Sequence, residues 1–272
     1  VGNSCGNVTY MDEPAIELTY EIEARNSANE VTQNYTGDFA KSLVGLVAEN
    51  SSDSIDLAPA RLTGYAGSWA NGIYTNEEDK VPDIDLVTFI RDATPVVDGP
   101  YDNLLFGVNL TETEGAALND LDMLANTAKS LSLIGSEIRF GRWTIENTFG
   151  PETSDLPVPM AIQYWDGSNF ITNTLDSCTT FDATNLTIDN ININPGTTTA
   201  SGSGNFINGV TQGIILSAPG TPHQGAVPVN YVIPSMPWLL YDWSWNGTDP
   251  LDFSESPSAV ATFGLFRGND RI

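Results

Sequence analysis

Alternation of apolar and polar residues is the strongest local pattern in this sequence. In AIELTYEIEAR (15–25), apolar residues occupy every second position from Ile16 to Ala24, and mostly Glu and Thr stand between them. The same period of two returns in VPMAIQYW (158–165) and in AVPVNYVI (226–233). Such a period places one face of an extended segment against a core and the other in solvent. We therefore predict half-buried antiparallel strands at these three places.

Shorter apolar runs bounded by turn residues predict further strands. They are ARLTGYA, IDLVTFIR, LLFGVNL, EIRFGRWTIEN, NLTIDNINI, TQGIILSA and AVATFGLF. Only GAALNDLDMLANTAK (115–129) and, more weakly, DFAKSLVGLVAEN (38–50) have helical spacing. Many short strands with turns about every ten residues are typical of immunoglobulin-like sandwiches. We predict an all-β protein of two immunoglobulin-like antiparallel β-sandwich modules, with long loops and at most one or two short helices.

The length of the chain, 272 residues, favours two modules over one. We place the division where TAKSLSLIGSE follows the possible helix, which gives modules at 1–130 and 131–272. No run approaches the roughly 20 consecutive apolar residues that span a bilayer, so we expect no membrane insertion. The first residues, VGNSCGN, lack the basic and apolar regions of a signal peptide, so we expect the numbering to begin inside a precursor or at a processed end.

Charge and cysteine usage narrow the setting. The chain has 35 acidic and 10 basic residues, a net charge of −25, which disfavours binding to nucleic acids and anionic membranes. Because only 17% of the residues are charged, Asn, Ser, Thr and Gly must supply most of the polar surface, as in extracellular β-proteins. Cys5 and Cys178 are the only cysteines. They are free buried thiols or, as their even number in a chain of secreted character favours, one disulfide.

The stretch YDWSWNGTDPLD (241–252) is the main candidate site. An EF-type calcium loop has oxygen ligands at its first, third and fifth positions, glycine at the sixth and a bidentate acid at the twelfth. The twelfth position is Phe253 here, so the strongest ligand is missing and Asp249 or Asp252 would have to substitute. The candidate calcium ligands are Asp242, Ser244, Asn246, Thr248 through its carbonyl group, Asp249 and Asp252.

Two tryptophans in the same stretch offer a second interpretation. Trp243 and Trp245 share one face if the backbone is extended. Exposed, they would stack on sugar rings, and buried, they would belong to the core. The stretch is therefore a metal site, a sugar-stacking platform or a turn between strands.

Catalytic motifs are not found in the sequence. The single histidine, His223, and two cysteines are too few for a zinc site built on His or Cys ligands, and neither a G-x-S-x-G elbow nor a P-loop occurs. Acidic residues are numerous enough for a glycoside hydrolase, but nothing marks Asp166, Asp176 or Glu146 as catalytic. We expect a non-enzyme, and a carboxylate-based hydrolase is the least favoured function.

Residues 139–181, RFGRWTIENTFGPETSDLPVPMAIQYWDGSNFITNTLDSCTTF, resemble the conserved C-terminal region of MshQ-like proteins, which are associated with the biogenesis of mannose-sensitive haemagglutinin (MSHA) type IV pili. The matching pieces are RFGR, LPVP, YWDG and the DSCT around Cys178. The resemblance extends to CGNVTYMDEP and ARNSANEVTQNY, and to PWLLYDW and PSAVATFGLFRGNDRI. Family members carry a more acidic D-W-D-G-D-G version of the candidate site, and Ser244 and Asn246 stand where two of those acids would be.

The resemblance implies an exported bacterial protein at the cell surface, engaged in adhesion or assembly, and it supplies no catalytic residue. We expect a structural or adhesive component of a type IV pilus-associated appendage, whose partners are other appendage subunits or further copies of the chain. The alternative is a calcium-assisted carbohydrate-binding module of a cell-surface adhesin, which binds glycans through Trp243 and Trp245. Calcium is the only cofactor expected.

Overall fold

The computed structural model describes residues 8–17, 20–50, 55–57, 61–64, 67–75, 86–92, 97–111, 130–233, 235–245 and 252–264. These residues form β-strands joined by turns and by short 3₁₀ segments at Gly37–Phe39, Ala183–Asn185, Ile191–Ile193 and Pro237–Leu239. The all-β prediction is confirmed. Within these ranges, no helix has both the length and the apolar character needed to cross a membrane.

The chain divides into two compact units. The first comprises Val1–Asp92 and Gly99–Arg139, and the second comprises Ala93–Asp98 and Phe140–Ile272. The main division falls after Arg139 because the strand that ends there pairs with a strand of the first unit. The predicted division at 130/131 would separate the first residue of that strand from the rest.

The described part of the first unit contains eleven strands. They are β1 (Val8–Tyr10), β2 (Ile16–Glu17), β3 (Glu21–Glu23), β4 (Leu43–Asn50), β5 (Ile55–Leu57), β6 (Leu62–Thr63), β7 (Ser68–Ala70), β8 (Ile73–Thr75), β9 (Leu86–Phe89), β10 (Tyr101–Thr111) and β11 (Ser130–Arg139). One sheet has the order β1-β11-β10-β4-β5, a second has β2-β9-β6 and a third has β3-β8-β7. Among these described strands, only the β1–β11 pair is parallel. The first two orders are those of the A′GFCC′ and BED sheets of an immunoglobulin domain, and β3, β7 and β8 are additions.

The weaker helix prediction, for residues 38–50, is wrong. Residues 43–50 form β4, which pairs with β10 on one side and β5 on the other. The last five residues of β4, from Leu46 to Asn50, are all buried. A strand buried on both faces loses the period of two, so its apolar run cannot be told from a buried helix by pattern alone. The other helix prediction, 115–129, lies outside the described residues.

The described residues of the second unit form the other eleven strands. They are β12 (Gly141–Ile145), β13 (Thr148–Gly150), β14 (Leu156–Trp165), β15 (Phe170–Thr172), β16 (Thr180–Asp182), β17 (Leu186–Ile188), β18 (Ala200–Ser201), β19 (Ser203–Asn205), β20 (Val210–Leu216), β21 (Gly225–Tyr231) and β22 (Ser258–Phe263). One sheet has the order β12-β14-β20-β18, with β15 beside β14, and the other has β13-β22-β21-β17. These are the ABED and A′GFC orders, so the immunoglobulin-like prediction is confirmed by the topology itself.

The core of the second unit lies between these two sheets. Val158, Met160 and Ile162 of β14 are buried, as are alternate residues of β21 from Val227 to Tyr231. Trp143 of β12 is also buried, and its ring stacks on the ring of Tyr231, with centroids 4.6 Å apart. The strands predicted at 158–165 and 226–233 therefore form and bury the expected faces. AIELTYEIEAR instead splits into β2 and β3, which belong to different sheets.

Candidate functional site

Arg142 occupies the outer face of the β12-β14-β20-β18 sheet. Its neighbour Trp143 points into the core, and successive side chains of a strand point to opposite faces. Gln163, on the neighbouring strand β14, is the residue that pairs with Arg142. Its side-chain oxygen Oε1 accepts hydrogen bonds from Nε of Arg142 at 2.9 Å and from Nη2 at 2.8 Å. Two N–H groups of the guanidinium therefore donate to the same oxygen atom, which fixes the orientation of the guanidinium.

Three aromatic rings surround this guanidinium. Its central carbon lies 3.7 Å from the ring centroid of Phe170, 4.9 Å from that of Trp243 and 5.0 Å from that of Tyr241. All three distances are within the range of cation–π attraction. Phe170 comes from the sheet itself, and the other two rings come from the segment that follows the 3₁₀ turn Pro237–Leu239.

We call Tyr241, Trp243 and Phe253 the aromatic cap, because their rings cover the outer face of this sheet. Phe140, on the same face as Arg142, is fully buried. Its ring centroid lies 5.2 Å from that of Phe253 and 6.3 Å from that of Tyr241. The cap thus gives the second unit a second apolar layer, outside the core between the sheets.

Burial lowers the pKa of the Arg142 guanidinium, and the charge and hydrogen bond of Tyr241 act in the opposite direction. An arginine stays protonated at neutral pH even after such a shift. The site is therefore a permanent cation beneath aromatic rings, in a chain of net charge −25. Trp243 forms its outer rim, with 40% of its surface exposed.

The two ends of the predicted calcium loop are held together by hydrogen bonds to Asp242 and to Glu255. Tyr241 and Glu255 form an antiparallel bridge at its base. The carboxylate of Glu255 accepts hydrogen bonds from the backbone N–H and the hydroxyl of Ser244, at 2.8 and 2.6 Å. Asp242 is buried, and its Oδ2 accepts the N–H of Asp252 at 3.0 Å. The described half of the loop is therefore a turn that carboxylates tie together.

No group of three or more His, Cys, Asp or Glu side chains that could hold a metal is found in the part of the chain that the structure describes. Asn246, Thr248 and Asp249 lie outside the described residues. Asp242, Ser244 and Asp252 are brought together by the hydrogen bonds of the turn. Calcium binding by this loop stays a prediction.

The two candidate tryptophans differ in burial. Trp243 is exposed at its rim while its ring packs edge-to-face on Tyr241, with centroids 5.2 Å apart. Trp245 is half-buried. Trp243 thus combines the two interpretations that the sequence left open, because it packs on one side and faces solvent on the other.

Sequence reasoning missed Arg142 as part of this site. The available signal is the pattern FGRW, in which a single cation stands among apolar residues on a strand with two apolar faces. Two of the three acids weighed as hydrolase candidates instead cap turns. Asp166 accepts the N–H groups of Ser168 and Asn169, and the buried Asp176 accepts those of Cys178 and Thr179.

The predicted disulfide partner of Cys178, Cys5, lies outside the described residues. The backbone N–H of Cys178 donates to Asp176 in the turn after β15. The pairing of Cys5 with Cys178 stays a prediction.

The outer face of the other sheet, β13-β22-β21-β17, is exposed. We call it the open face. On β22, Ala259, Ala261 and Phe263 are buried, so the alternate residues point outward. Strand pairing aligns these with outward residues on the neighbouring strands. The open face consists of Phe149, Thr187, Ala226, Pro228, Asn230, Ser258, Val260 and Thr262.

Two features give the open face its shape. Phe149, on the edge strand β13, is 79% exposed. Beside it, a groove of about 500 Å³ runs across β17, β21 and β22 and is lined by residues that include Asn147, Pro228 and Val260. The one carboxylate in this lining is Asp189, whose Oδ1 accepts the N–H of Ile191. The described surface here is thus almost uncharged.

Comparison with known proteins returns a family and little else. Among solved structures, the chain is similar to a pair of titin immunoglobulin tandem domains, with 10% sequence identity, 95% of this chain and 92% of that one covered, and a TM-score of 0.19. At that TM-score the similarity adds nothing to the topology described above. No curated protein matches the sequence.

Two family models divide the chain between them. The third domain of DUF6701 matches residues 1–137, and the fourth domain matches residues 139–272. The boundary between these matches lies within two residues of the structural division after Arg139. The chain therefore belongs to the DUF6701 family, of which it carries the third and fourth domains.

Proposed function

We propose that this chain is a non-catalytic structural or adhesive part of a bacterial surface appendage associated with type IV pili. The resemblance of residues 139–181 to MshQ-like proteins supports an exported, cell-surface setting. Two immunoglobulin-like units suit such a role, because sandwiches of this kind display extended faces and edges to partners.

The open face is the observation that carries this proposal. It places an aromatic side chain, Phe149, and the aliphatic Val260 in solvent on a regular four-stranded surface. Exposed apolar residues grouped on one face are typical of interaction surfaces. An exposed sheet face with apolar side chains suits a protein that functions by binding other chains.

Labelling of intact cells tests the proposal. Antibodies against this chain should label the surface of unbroken bacteria that encode it. Deletion of the segment that encodes residues 1–272 should reduce the number of pili or the adherence of the cells severalfold, and the intact gene should restore both. Labelling that requires cell lysis, or unchanged pili and adherence after deletion, would contradict the proposal.

A second candidate function, carbohydrate binding, is favoured by Trp243. Its half-exposed ring stands next to the half-buried cation of Arg142, and sugar rings stack on exposed aromatic faces. A guanidinium near such a ring would favour a sugar that carries a carboxylate. The calcium requirement of this function is a separate part of the hypothesis.

A glycan array tests this second function, with and without chelator. We expect binding that Trp243→Ala abolishes and that Phe149→Ser, on the opposite outer face, leaves intact. Loss of binding with chelator would assign calcium a part in it. Absence of binding in both conditions would end the carbohydrate hypothesis.

A further inference from the structure

We propose that the open face is where two copies of this chain bind each other, in a two-fold symmetric dimer. The inference rests on the proposed role in assembly and deepens it, because it names the surface and the partner. The occupant follows from the charge, the shape and the symmetry of the face.

Charge limits which surface two copies of this chain could share. Two chains of net charge −25 repel each other least where they meet at a surface with few carboxylates. The outward residues of the open face are all neutral, from Phe149 at one edge to Thr187 at the other. The one carboxylate here is Asp189, which lines the groove. Apart from Asp189, the face is therefore a place where one polyanion can approach its own copy with little local repulsion.

Shape supplies a matching knob and groove on the same face. The ring of Phe149 protrudes at β13, and the groove beside it is large enough, at about 500 Å³, to receive a phenyl ring. In a two-fold dimer, each contact occurs twice, so the knob of each copy enters the groove of the other. The aliphatic walls at Pro228 and Val260 would contact the inserted ring. A knob and groove on different faces would instead produce an open chain of copies.

Sedimentation equilibrium of the whole chain tests the dimer, at concentrations from about 1 μM to about 500 μM. We expect a monomer–dimer equilibrium. Raising NaCl from about 50 mM to about 500 mM should strengthen it, because salt screens the repulsion between the two chains and has little effect on apolar contacts. Phe149→Ser should weaken the dimer at least about tenfold, as loss of a central aromatic anchor does.

A matched control is available in the first unit. Phe39 is 75% exposed, close to the 79% of Phe149, so Phe39→Ser removes a similar apolar surface elsewhere. It should leave the dimer unchanged. Val260→Asp introduces a carboxylate into the groove and should also weaken the dimer at least about tenfold. Circular dichroism of each variant should match that of the parent chain, because all three side chains are exposed.

Three outcomes would overturn the inference: a monomer at every concentration, an equal effect of Phe39→Ser and Phe149→Ser, or a dimer that weakens with salt. These results leave the proposed function standing if antibodies label intact cells and deletion reduces pili. Conversely, a dimer that depends on Phe149 in a chain that is absent from the cell surface would retain the interface and reject the proposed function.

Discussion

The two outer faces of the second unit belong to sheets that share one core, yet the chain treats them in opposite ways. The face around Arg142 is covered by the aromatic cap, and Phe140 on it is fully buried. The open face leaves Phe149 almost completely in solvent. The comparison shows that a later segment of the chain decides what an aromatic residue on an outer face does. Where the segment covers the residue, it packs in an apolar layer, and where no described segment covers it, it faces solvent.

The largest expected effect comes from the same substitution on each face. Phe140→Ala should lower the free energy of unfolding by about 3–5 kcal/mol, because it leaves a cavity among three packed rings. Phe149→Ala should change it by less than about 0.5 kcal/mol, because the ring touches mainly solvent. Urea denaturation followed by tryptophan fluorescence measures both. Equal losses would show that the two faces do not differ as described.

The next effect isolates the cation under the cap. Arg142→Met should destabilise the chain by about 1–3 kcal/mol, because Oε1 of Gln163 loses both of its guanidinium donors. Arg142→Lys keeps the charge near the rings and should cost less. Arg25, paired with Glu23 at the surface of the first unit, is the control, since exposed ion pairs contribute little and Arg25→Met should cost less than about 1 kcal/mol. If thermal unfolding showed no loss of stability for Arg142→Met, packing among the rings alone would keep the aromatic cap in place.

Trp243 sits at the boundary between covered and exposed surface, so its removal should have an intermediate effect on stability. We expect Trp243→Ala to cost about 1–2 kcal/mol, through the lost contacts with Tyr241 and Arg142. Differential scanning calorimetry measures this loss. A cost as large as that of Phe140→Ala would mean that Trp243 is mainly a structural residue and would weaken the carbohydrate hypothesis.

The smallest effect appears with pH, at two turns of the second unit. Hydrogen bonds from Asn169 and Ser168 lower the pKa of Asp166, in the turn between β14 and β15. Those from the backbone and hydroxyl of Thr184 lower the pKa of Asp182, the last residue of β16. Because both pKa values are lower in the folded chain than in the unfolded one, their contribution is present above about pH 4 and is lost as the pH falls through the folded values.

Carboxyl-detected NMR titration checks this prediction. Asp166 and Asp182 should both titrate below the ordinary aspartate value of about 3.9. The variants Asp166→Asn and Asp182→Asn should each lose the corresponding part of the acid dependence. A titration at or above the ordinary value for either residue would contradict the hydrogen-bonding pattern.

Sequence pattern captured the parts of the fold that depend on a single strand. The period of two located β14 and β21, because each has one face in the core and one outside it. The same rule failed at β4, whose buried run carries no alternation. It also could not show that Tyr241 and Trp243 cover Arg142, because that contact joins segments far apart in the sequence. Phe149 gave no signal, since one phenylalanine in a short segment fits a core and a surface equally well.

The parallel pairing of β1 with β11, and of β13 with β22, has a mechanical consequence. In each unit, an early strand lies alongside the last described strand, and both run in the same direction. Tension applied along the polypeptide would slide such a pair lengthwise, so its hydrogen bonds would all be loaded together instead of peeling apart one after another. Each unit would therefore resist stretching before it unravels.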